Sequence, residues 1–368
     1  MCDNRIKKVI DNFKFKGDFV DVREFGSGHI NKTYLVTFYN NGAEQRYILQ
    51  QLNANVFKNI DGLMKNVFSV TSYLRDVIKE YGGDPDRETL HYIKTVDDKE
   101  YYRLQDDDSY YRAYVFVRDS ISFNTAENAD MFKSSGEAFG KFQRLLSGFD
   151  VDSITETIPH FHDTPWRYNN EFLPAVKANA SGRLDTCQAE VEFVNKYAQQ
   201  MDRLTSMIES GELPVRVTHN DTKLNNVMFD KDTKKCVCVI DLDTVMPGLA
   251  LYDFGDSIRF GASTAKEDET DLDKVEMDLD YFKAYAEGFL GEAGEHFNQA
   301  EKDNLAFASL LMTLECGMRF LTDYINGDVY FRTEYPQHNL DRARNQFKLV
   351  ADMDAKMEQM EQIIKNIQ

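Results

Sequence analysis

Residues 219–226, with the sequence His-Asn-Asp-Thr-Lys-Leu-Asn-Asn, and the later Asp241 constrain this chain more than any other feature. Residues 226–229 and 236–240 are short apolar runs joined by a polar stretch, so this pattern predicts an antiparallel hairpin. In such a hairpin, the first residue of one strand lies beside the last residue of the next strand. We therefore expect the side chains of Asn226 and Asp241 to lie at the same end of the hairpin.

Asp221 precedes this hairpin in the loop that enters it, where a carboxylate can face a hydroxyl group. Mg²⁺ prefers carboxylate and amide oxygens and keeps its remaining positions for phosphate and water. The order Asp, Asn, Asp is that of kinases, in which the first Asp accepts the proton of the acceptor and the other two residues bind metal. We therefore predict Asp221 as the catalytic residue, and Asn226 and Asp241 as ligands of Mg²⁺.

These motifs resemble those of the aminoglycoside phosphotransferase and choline kinase superfamily, whose His-x-Asp-x-x-x-x-Asn pattern matches His219, Asp221 and Asn226. Longer stretches resemble the N-acetylhexosamine 1-kinases, and they are residues 26–31, 216–226, 240–248, 253–263 and 315–320. The resemblance covers nearly the whole chain. It implies an enzyme that transfers the γ-phosphoryl group of ATP, with Mg²⁺, to the anomeric hydroxyl of N-acetylglucosamine or N-acetylgalactosamine.

Asp253-Phe-Gly255 has the sequence of the metal motif of protein kinases, but it lies too far beyond Asp221 for one loop and one hairpin. We expect Asp253 to fix the catalytic loop by binding its backbone amides, as the corresponding Asp does in the resembled superfamily. Asp243 would share a strand face with Asp241, and it is a candidate second ligand beside Asp241.

The length and the order of elements predict the fold class. At 368 residues the chain exceeds the size of a single hydrophobic core, so two lobes with a cleft are expected. We predict a bilobal, protein-kinase-like α+β fold in which residues 1–117 form a small antiparallel sheet lobe with one helix, spanning about residues 60–81. Residues 118–368 form a larger, mainly helical lobe that carries the catalytic loop and the sugar pocket.

Composition excludes several classes of partner. The net charge of −19 disfavours nucleic acid and anionic membranes. The first residues lack the apolar segment of a secretory signal, and no apolar run approaches about 18 residues, so we expect a cytoplasmic protein. The odd number of scattered cysteines predicts reduced thiols. The acidic residues 266–273 are expected to be a solvated face rather than a groove that binds amines.

The first lobe is expected to bind ATP. Gly26 and Gly28 precede the first strong strand, at the place of a loop that covers phosphates. Gln50 stands where a kinase carries lysine, and it could bind phosphate oxygens without contributing charge. We further hypothesise a hydrogen bond between Gln50 and Asn66. The hinge residues expected to bind adenine through their backbone are Phe116, Val117 and Arg118.

The acceptor site follows from the resemblance, which implies that the sugar contacts His29, Phe260, Arg319 and Tyr330, together with Asp221. For Arg319 the alternative is an ion pair on a helix, and for Phe260 it is a place in the core. Both His160 and His162 are expected to be part of a loop structure rather than a metal site, because a third ligand is missing.

Two rival functions and the oligomeric state stay open. A kinase of another small alcohol, such as an aminoglycoside, choline or homoserine, would share the same metal residues. Choline needs an aromatic cage, and this chain has a single tryptophan, Trp166. A non-catalytic nucleotide-binding protein is suggested only by the missing lysine. The apolar pattern of residues 350–367 predicts docking on the second lobe rather than dimerisation, so a monomer is favoured.

Overall fold

The computed structural model describes residues 4–26 and 30–367 of the chain. These residues form two compact units. The first contains the described residues of Met1–Ile121, with Gly148–Ile158 and Met228–Met246, and the second contains Ser122–Ser147, Pro159–Val227 and the described part of Pro247–Gln368. The chain therefore passes between the units several times, and the predicted lobe limits, 1–117 and 118–368, stay a prediction.

Strands and helices are distributed unevenly along the chain. The strands are β1 (Asp18–Glu24), β2 (Lys32–Asn40), β3 (Ala43–Leu52), β4 (Tyr92–Ile93), β5 (Tyr102–Leu104), β6 (Ser109–Val115), β7 (Ser120–Ile121), β8 (Arg216–Thr218), β9 (Val227–Asp230), β10 (Cys236–Val239) and β11 (Met246–Gly248). The helices are α1 (Asn4–Ile10), α2 (Ile60–Glu80), α3 (Ala129–Leu145), α4 (Thr164–Arg167), α5 (Leu173–Ala178), α6 (Gln188–Lys196), α7 (Arg203–Glu209), α8 (Ala250–Gly261), α9 (Leu279–Ala293), α10 (Gln299–Asp303), α11 (Leu305–Asn326) and α12 (His338–Ile367).

An antiparallel sheet is the main element of the first unit, with the strand order β1-β2-β3-β6-β4 and with β5 also paired to β6. One face of the sheet packs on α1 in a core cluster that includes Val36, Leu49 and Ala113. Because side chains alternate along a strand, Thr33, Gln50 and Arg112 lie on the opposite face. These last three side chains are neighbours, since Thr33 pairs with Gln50 and Gln50 pairs with Arg112.

Helix α2 begins at Asn59, whose side chain accepts a hydrogen bond from the backbone N–H of Gly62. The stripe that predicts this helix is fully buried and consists of Leu63, Val67, Val70 and Leu74. The aromatic ring of Phe68 packs on Tyr92 of β4, with 5.4 Å between ring centroids. Apolar spacing of three and four residues therefore gave both the existence and the limits of α2 correctly.

The predicted hairpin is formed by β9 and β10, which are neighbours in a small sheet with β7. Its turn closes as expected, because the Asp230 N–H donates to the Lys235 carbonyl oxygen at 2.8 Å. The Asp230 carboxylate also accepts a bond of 2.7 Å from the Thr233 N–H. Short polar residues satisfy the turn's own backbone, which is why this segment reverses direction.

Helices dominate the second unit. Helices α3 and α9 approach closely at Gly136, where an added Cβ would lie 2.4 Å from the Tyr285 carbonyl oxygen. Helix α11 is the one helix of the described residues that is long and apolar enough to cross a membrane, and 83% of its apolar window is buried within the protein, as in a core helix. Together with the sheet of the first unit, these helices confirm the predicted α+β fold class.

The C-terminal helix α12 packs within the second unit. Val350, Met353, Met360 and Ile364 are all at most 2% exposed. The Thr313 hydroxyl of α11 lies 3.7 Å from the Met353 Sδ atom, so the apolar stripe of α12 faces α11. The predicted docking of this stripe on its own chain is confirmed, and the oligomeric state is still open.

No disulfide joins the described cysteines, which are Cys187, Cys236, Cys238 and Cys316. Within residues 4–26 and 30–367 no group of three or more His, Cys, Asp or Glu side chains could hold a metal ion. His160 instead lies 2.8 Å from an Asp163 oxygen and stacks on Trp166, with 4.3 Å between centroids. The expected structural role of the His-x-His segment therefore holds for His160.

Candidate active site

Asp253 of α8 fixes the loop that follows β8. This carboxylate is fully buried and accepts hydrogen bonds from the backbone N–H groups of His219, at 2.9 Å, and Asn220, at 2.8 Å. Gln143 of α3 donates a third bond of 2.9 Å. Burial raises the pKa of Asp253 above its usual value, and the bonds from His219, Asn220 and Gln143 act in the opposite direction. The predicted role of Asp253 in holding the loop is confirmed.

The residue after Asp221 is held equally firmly. The Thr222 N–H donates to Asp256 Oδ2 at 3.0 Å, and the Thr222 hydroxyl donates to the Asp253 carbonyl oxygen at 2.6 Å. Ser257 donates to the Thr222 carbonyl oxygen at 2.8 Å. The backbone on both sides of Asp221 is bound to α8, so the point from which the Asp221 side chain extends is fixed. This side chain is 30% exposed.

Asp221, Lys223 and Asn226 are in direct contact. Asn226 Nδ2 donates to both the carbonyl oxygen and the Oδ2 atom of Asp221, at 2.8 and 3.1 Å. The Lys223 ammonium lies 2.8 Å from Asp221 Oδ1. The Asp221 charge raises the pKa of Lys223, so this side chain stays a cation at neutral pH. Sequence reasoning missed Lys223, although its position two residues after Asp221 allows this contact.

Asp241 belongs to the first unit, whereas Asp221 and Asn226 belong to the second. Asp241 is exposed and adopts a left-handed conformation, with φ of 60°, before a short 3₁₀ helix at Leu242–Thr244. Asp243 is only 5% exposed, and its two oxygens contact Arg112 and Asn31. The alternative assignment of Asp243 as a second metal ligand is therefore wrong, because its carboxylate is already neutralised inside the unit.

The predicted nucleotide contacts lie in the first unit. Gly26 has a φ of 80° and open space around its Cα, as a loop glycine needs, while Gly28 lies outside the described residues. Both polar ends of Gln50 are engaged in the sheet: its Nε2 donates to Thr33 at 3.2 Å, and its Oε1 accepts from Arg112 at 2.9 Å. Contact of Gln50 with phosphate stays a prediction.

The hinge residues follow β6. The Phe116 N–H donates to the Arg46 carbonyl oxygen at 3.0 Å, and the Val117 carbonyl oxygen accepts from the Ser120 hydroxyl at 2.7 Å. Arg118 forms an ion pair of 2.8 Å with Asp84. These contacts fix the path of the hinge, and its contacts with adenine stay a prediction.

Asn66 does not bind Gln50, so that hypothesis is wrong. Asn66 Nδ2 donates to the carbonyl oxygens of Thr155, at 2.7 Å, and Val245, at 2.9 Å, and its Oδ1 accepts from the Thr155 N–H at 2.9 Å. Both ends of the fully buried amide are satisfied by backbone groups. The side chain of Asn66 therefore connects α2 to the segment that follows Asp241.

Arg319 of α11 has an unusual environment in the second unit. Its guanidinium carbon lies 5.4 Å from the ring centroid of Phe161 and 5.7 Å from that of Phe331. Within the described residues it makes no hydrogen bond or ion pair, so the alternative of a structural ion pair is not observed. The five N–H donors of its guanidinium are therefore without an acceptor among the described residues, beside two aromatic rings.

A buried carboxylate connects this region to the catalytic loop. Glu315, one turn before Arg319 on α11, accepts a bond of 2.8 Å from His162 and one of 2.6 Å from Thr164. Burial alone would raise the pKa of Glu315, but His162 and the nearby arginines lower it, so the group is an anion. His162 Nε2 lies 3.4 Å from the Asn220 carbonyl oxygen, next to Asp221. His162 therefore links Glu315 of α11 to the backbone of the catalytic loop beside Asp221.

The other predicted sugar contacts are more dispersed. Phe260 is partly buried and lines a cavity of about 480 Å³ in the second unit, together with Leu224, Arg259 and Tyr281. Tyr330 is 68% exposed and packs edge-on against Phe331, with 4.8 Å between ring centroids. His29 lies outside the described residues. The structure thus brings Tyr330 close to the Arg319 region, and the part of Phe260 and Tyr330 in binding stays a prediction.

Comparison with known proteins identifies the type of scaffold. A sequence model of the APH phosphotransferase enzyme family matches residues 88–290. Three solved structures show the same fold at low sequence identity. An aminoglycoside phosphotransferase from Alicyclobacillus acidocaldarius has 13% identity and a TM-score of 0.61, covering 98% of this chain and 96% of that one. A choline kinase from Cryptosporidium parvum has 14% identity and a TM-score of 0.54, covering 94% and 92%. A spectinomycin phosphotransferase in complex with ADP and spectinomycin has 13% identity and a TM-score of 0.54, covering 93% and 94%.

Proposed function

Since the chain belongs to the APH phosphotransferase enzyme family, we propose that it is an ATP-dependent kinase of a small alcohol. We propose further that its acceptor is the anomeric hydroxyl of an N-acetylhexosamine, N-acetylglucosamine or N-acetylgalactosamine, and that the product is the sugar 1-phosphate. One observation carries the choice of acceptor. This observation is that the Arg319 guanidinium lies beside two aromatic rings and donates no hydrogen bond to the described residues.

A neutral sugar suits this environment better than a cation does. Sugars are recognised by directed hydrogen bonds and by apolar faces, and Arg319 with Phe161 and Phe331 offers both. Choline requires aromatic faces that are free for its own cation. Here those faces already carry the Arg319 cation, and a second positive charge would meet repulsion. The same repulsion disfavours the ammonium groups of aminoglycosides.

Asp221 is the proposed base. Its Oδ2 accepts from Asn226 and its Oδ1 is bound to Lys223, so the carboxylate is oriented before any acceptor arrives. Preoriented groups reduce the cost of reorganisation during the reaction. Asp221 would accept the proton of the sugar hydroxyl as the oxygen attacks the γ-phosphorus and the bond from that phosphorus to the ADP oxygen breaks, releasing ADP. Lys223 would keep the carboxylate in position.

The donor set fits a magnesium ion. Both amide hydrogens of Asn226 are directed to Asp221, which leaves Asn226 Oδ1 as an oxygen that accepts no hydrogen bond from the described residues. Asp241 supplies an exposed carboxylate. These two oxygens are of the type that Mg²⁺ prefers, and when bound the ion would neutralise charge on the phosphates. Gly26 and Gly28 would cover the phosphates, and the backbone of residues 116–118 would bind adenine.

An acceptor panel tests the proposal. Purified protein with Mg²⁺ and ATP is supplied with N-acetylglucosamine, N-acetylgalactosamine, glucose, choline, homoserine or kanamycin, and ADP release is measured. We expect turnover with the two N-acetylated sugars and much lower kcat/KM with the amines. Faster turnover of choline, homoserine or kanamycin would replace the proposed acceptor with another small alcohol. If the protein binds ATP but releases ADP with none of these acceptors, a non-catalytic role would be favoured.

A further inference from the structure

The segment of residues 241–245, here called the Asp241 segment, is bound by side chains from several elements of the first unit. It begins with Asp241 in the left-handed conformation, with φ of 60° and ψ of 57°. This conformation is unfavourable for residues other than glycine, although Asp and Asn tolerate it better than most. It persists when the surrounding structure imposes it. The contacts of the residues that follow therefore help to fix where the Asp241 carboxylate lies.

The middle of the Asp241 segment is held by a buried ion pair. Arg112 is 1% exposed and Asp243 is 5% exposed, and Arg112 Nη1 contacts Asp243 Oδ1 directly. Asn31 Nδ2 donates to the other oxygen, Asp243 Oδ2, at 2.6 Å. Asn31 is itself fixed, because its Oδ1 accepts from the Asn53 N–H at 3.0 Å. Asp243 Oδ2 thus accepts a hydrogen bond and Oδ1 is in ion-pair contact, so both oxygens have a buried partner.

Arg112 is in turn fixed by the sheet. Its Nε donates to Gln50 Oε1 at 2.9 Å, and Gln50 Nε2 donates to the Thr33 hydroxyl at 3.2 Å. These three residues are neighbours on β6, β3 and β2. The guanidinium also lies over the ring of Tyr92, 5.6 Å from its centroid. The row of hydrogen bonds across the sheet therefore sets the position of the positive charge that Asp243 binds.

The end of the Asp241 segment is held from α2. Asn66 donates to the Val245 carbonyl oxygen at 2.9 Å, and Asn66 is bound at its other end to Thr155. Leu242 and Val245 are each 1% exposed, so their side chains are also packed. Leu242, Asp243 and Val245 are thus fixed by buried groups, whereas Asp241 itself is exposed.

A buried ion pair is weak support for stability alone, because apolar residues of similar volume often serve equally well. Its presence is better explained by the single conformation that it selects. We infer that Arg112 and Asp243 are positioning residues that fix the Asp241 carboxylate for its magnesium ion. Asn31 holds Asp243, and Gln50 holds Arg112. This inference rests on the proposed function, in which Asp241 holds Mg²⁺.

The decisive variant is Arg112→Met combined with Asp243→Leu, which removes both charges and leaves no unpaired ion. We expect this double variant to fold, as thermal melting will show. Its affinity for ADP in the presence of Mg²⁺, measured by calorimetry, should fall by at least about 10-fold, as for other residues that orient metal ligands. Its affinity for ADP without Mg²⁺ should stay within about twofold of wild type, since the inferred role of the pair acts only through the metal ligand Asp241.

Hydrogen exchange gives a readout without metal or nucleotide. In the double variant, backbone amides of the Asp241 segment should exchange faster than in the wild type, because the local structure opens more easily. The matched control is Tyr111→Phe, on the same strand as Arg112. The side chain of Tyr111 is fully buried on the other face of the sheet. Its replacement by Phe removes only the hydrogen bond of 2.8 Å that the Tyr111 hydroxyl accepts from Arg5. This control should leave both the magnesium effect and the exchange of the segment unchanged.

Asn31 provides an independent test if the double variant does not fold. Asn31→Asp keeps an oxygen that accepts from the Asn53 N–H, but it turns a carboxylate oxygen towards Asp243. Repulsion should weaken ADP binding with Mg²⁺ more strongly than Asn31→Ala does, and neither change should alter binding without Mg²⁺. The inference is overturned if the folded variants bind ADP with Mg²⁺ as the wild type does, or if Mg²⁺ never affects wild-type binding. Because ADP binding needs no acceptor, a failed sugar assay would disprove only the proposed function.

Discussion

Replacement of Arg319 by methionine gives the sharpest test of the acceptor site. The guanidinium makes no hydrogen bond or ion pair within the described residues, so its removal leaves no hydrogen-bond partner unsatisfied. Glu315 loses one of the positive charges that lower its pKa but keeps its contacts with His162 and Thr164. Methionine is unbranched and can occupy the space between Phe161 and Phe331. The substitution therefore separates binding from folding, which is rarely achieved for an arginine on a buried helix.

The expected magnitudes follow from these contacts. A hydrogen bond from a charged donor contributes about 1.5–3 kcal/mol, so losing one bond to the sugar should lower kcat/KM about 10- to 150-fold. The two cation–π contacts of Arg319 contribute about 0.5–1 kcal/mol each, and a methionine sulfur beside the rings recovers about 0.3–1.5 kcal/mol. We therefore expect these contacts to change the free energy of unfolding by less than about 2 kcal/mol.

Steady-state kinetics at varied sugar and at varied ATP, together with thermal melting, form the assay. The loss should appear in kcat/KM for the sugar, while KM for ATP stays close to that of wild type. The matched control is Arg203→Met, since Arg203 lies 4.4 Å from the ring centroid of Phe307, on the same helix as Arg319. Phe307 and Arg319 are about 18 Å apart along α11. Unchanged sugar kinetics in Arg319→Met, or an equal loss in Arg203→Met, would refute the reasoning.

Three further predictions concern the catalytic loop and its surroundings. Asp221→Asn should lower kcat by about 10²- to 10⁴-fold in steady-state kinetics and leave the ADP affinity, measured by calorimetry, nearly unchanged. Full activity of this variant would show that Asp221 is not the base. Lys223→Met should lower kcat by about 10-fold with little effect on ADP binding, because only the orientation of Asp221 is lost, and an undiminished kcat would contradict that role. Burial raises the pKa of Cys316 to about 11, so its thiolate fraction at pH 8 is about 0.1% and its alkylation, followed by mass spectrometry, should be about 100-fold slower in the folded than in the unfolded protein. Equally rapid alkylation of Cys316 in the folded protein would contradict the raised pKa.

Local patterns were enough to predict the main elements. Helix α2 followed from a stripe of apolar residues at helical spacing, and the hairpin followed from two apolar runs around a polar turn. The role of Asp253 was also predicted, because its distance along the chain from Asp221 excluded it as the metal ligand. In each case the decisive interactions lie within one element or between neighbouring elements.

Asp243 shows why local reasoning fails at the next step. Strict alternation along a strand would place Asp243 on the same side as Asp241. The strand in fact ends at Val239, and the left-handed Asp241 starts a short 3₁₀ helix that carries Asp243 into the unit. Its partner, Arg112, lies on another strand far away in sequence, so only the sheet register could reveal the pair.

The partners of the polar side chains of Asn66 and Arg319 also differ from those considered from the sequence. Asn66 was expected to bind Gln50, yet backbone groups of Thr155 and Val245 satisfy it. Arg319 had a structural ion pair as its alternative, yet Glu315 is occupied by His162 and Thr164. Which polar groups are satisfied depends on tertiary contacts, and the sequence carries no direct sign of them.

The site of phosphorylation on the sugar tests the central claim most directly. Wild-type protein with Mg²⁺ and ATP is incubated with N-acetylglucosamine and, separately, with its methyl glycoside, whose anomeric oxygen is blocked. Phosphorus NMR then identifies the product. The account predicts a sugar 1-phosphate from the free sugar and no phosphorylation of the methyl glycoside. A phosphate on any other oxygen, or equal turnover of the blocked sugar, would contradict it.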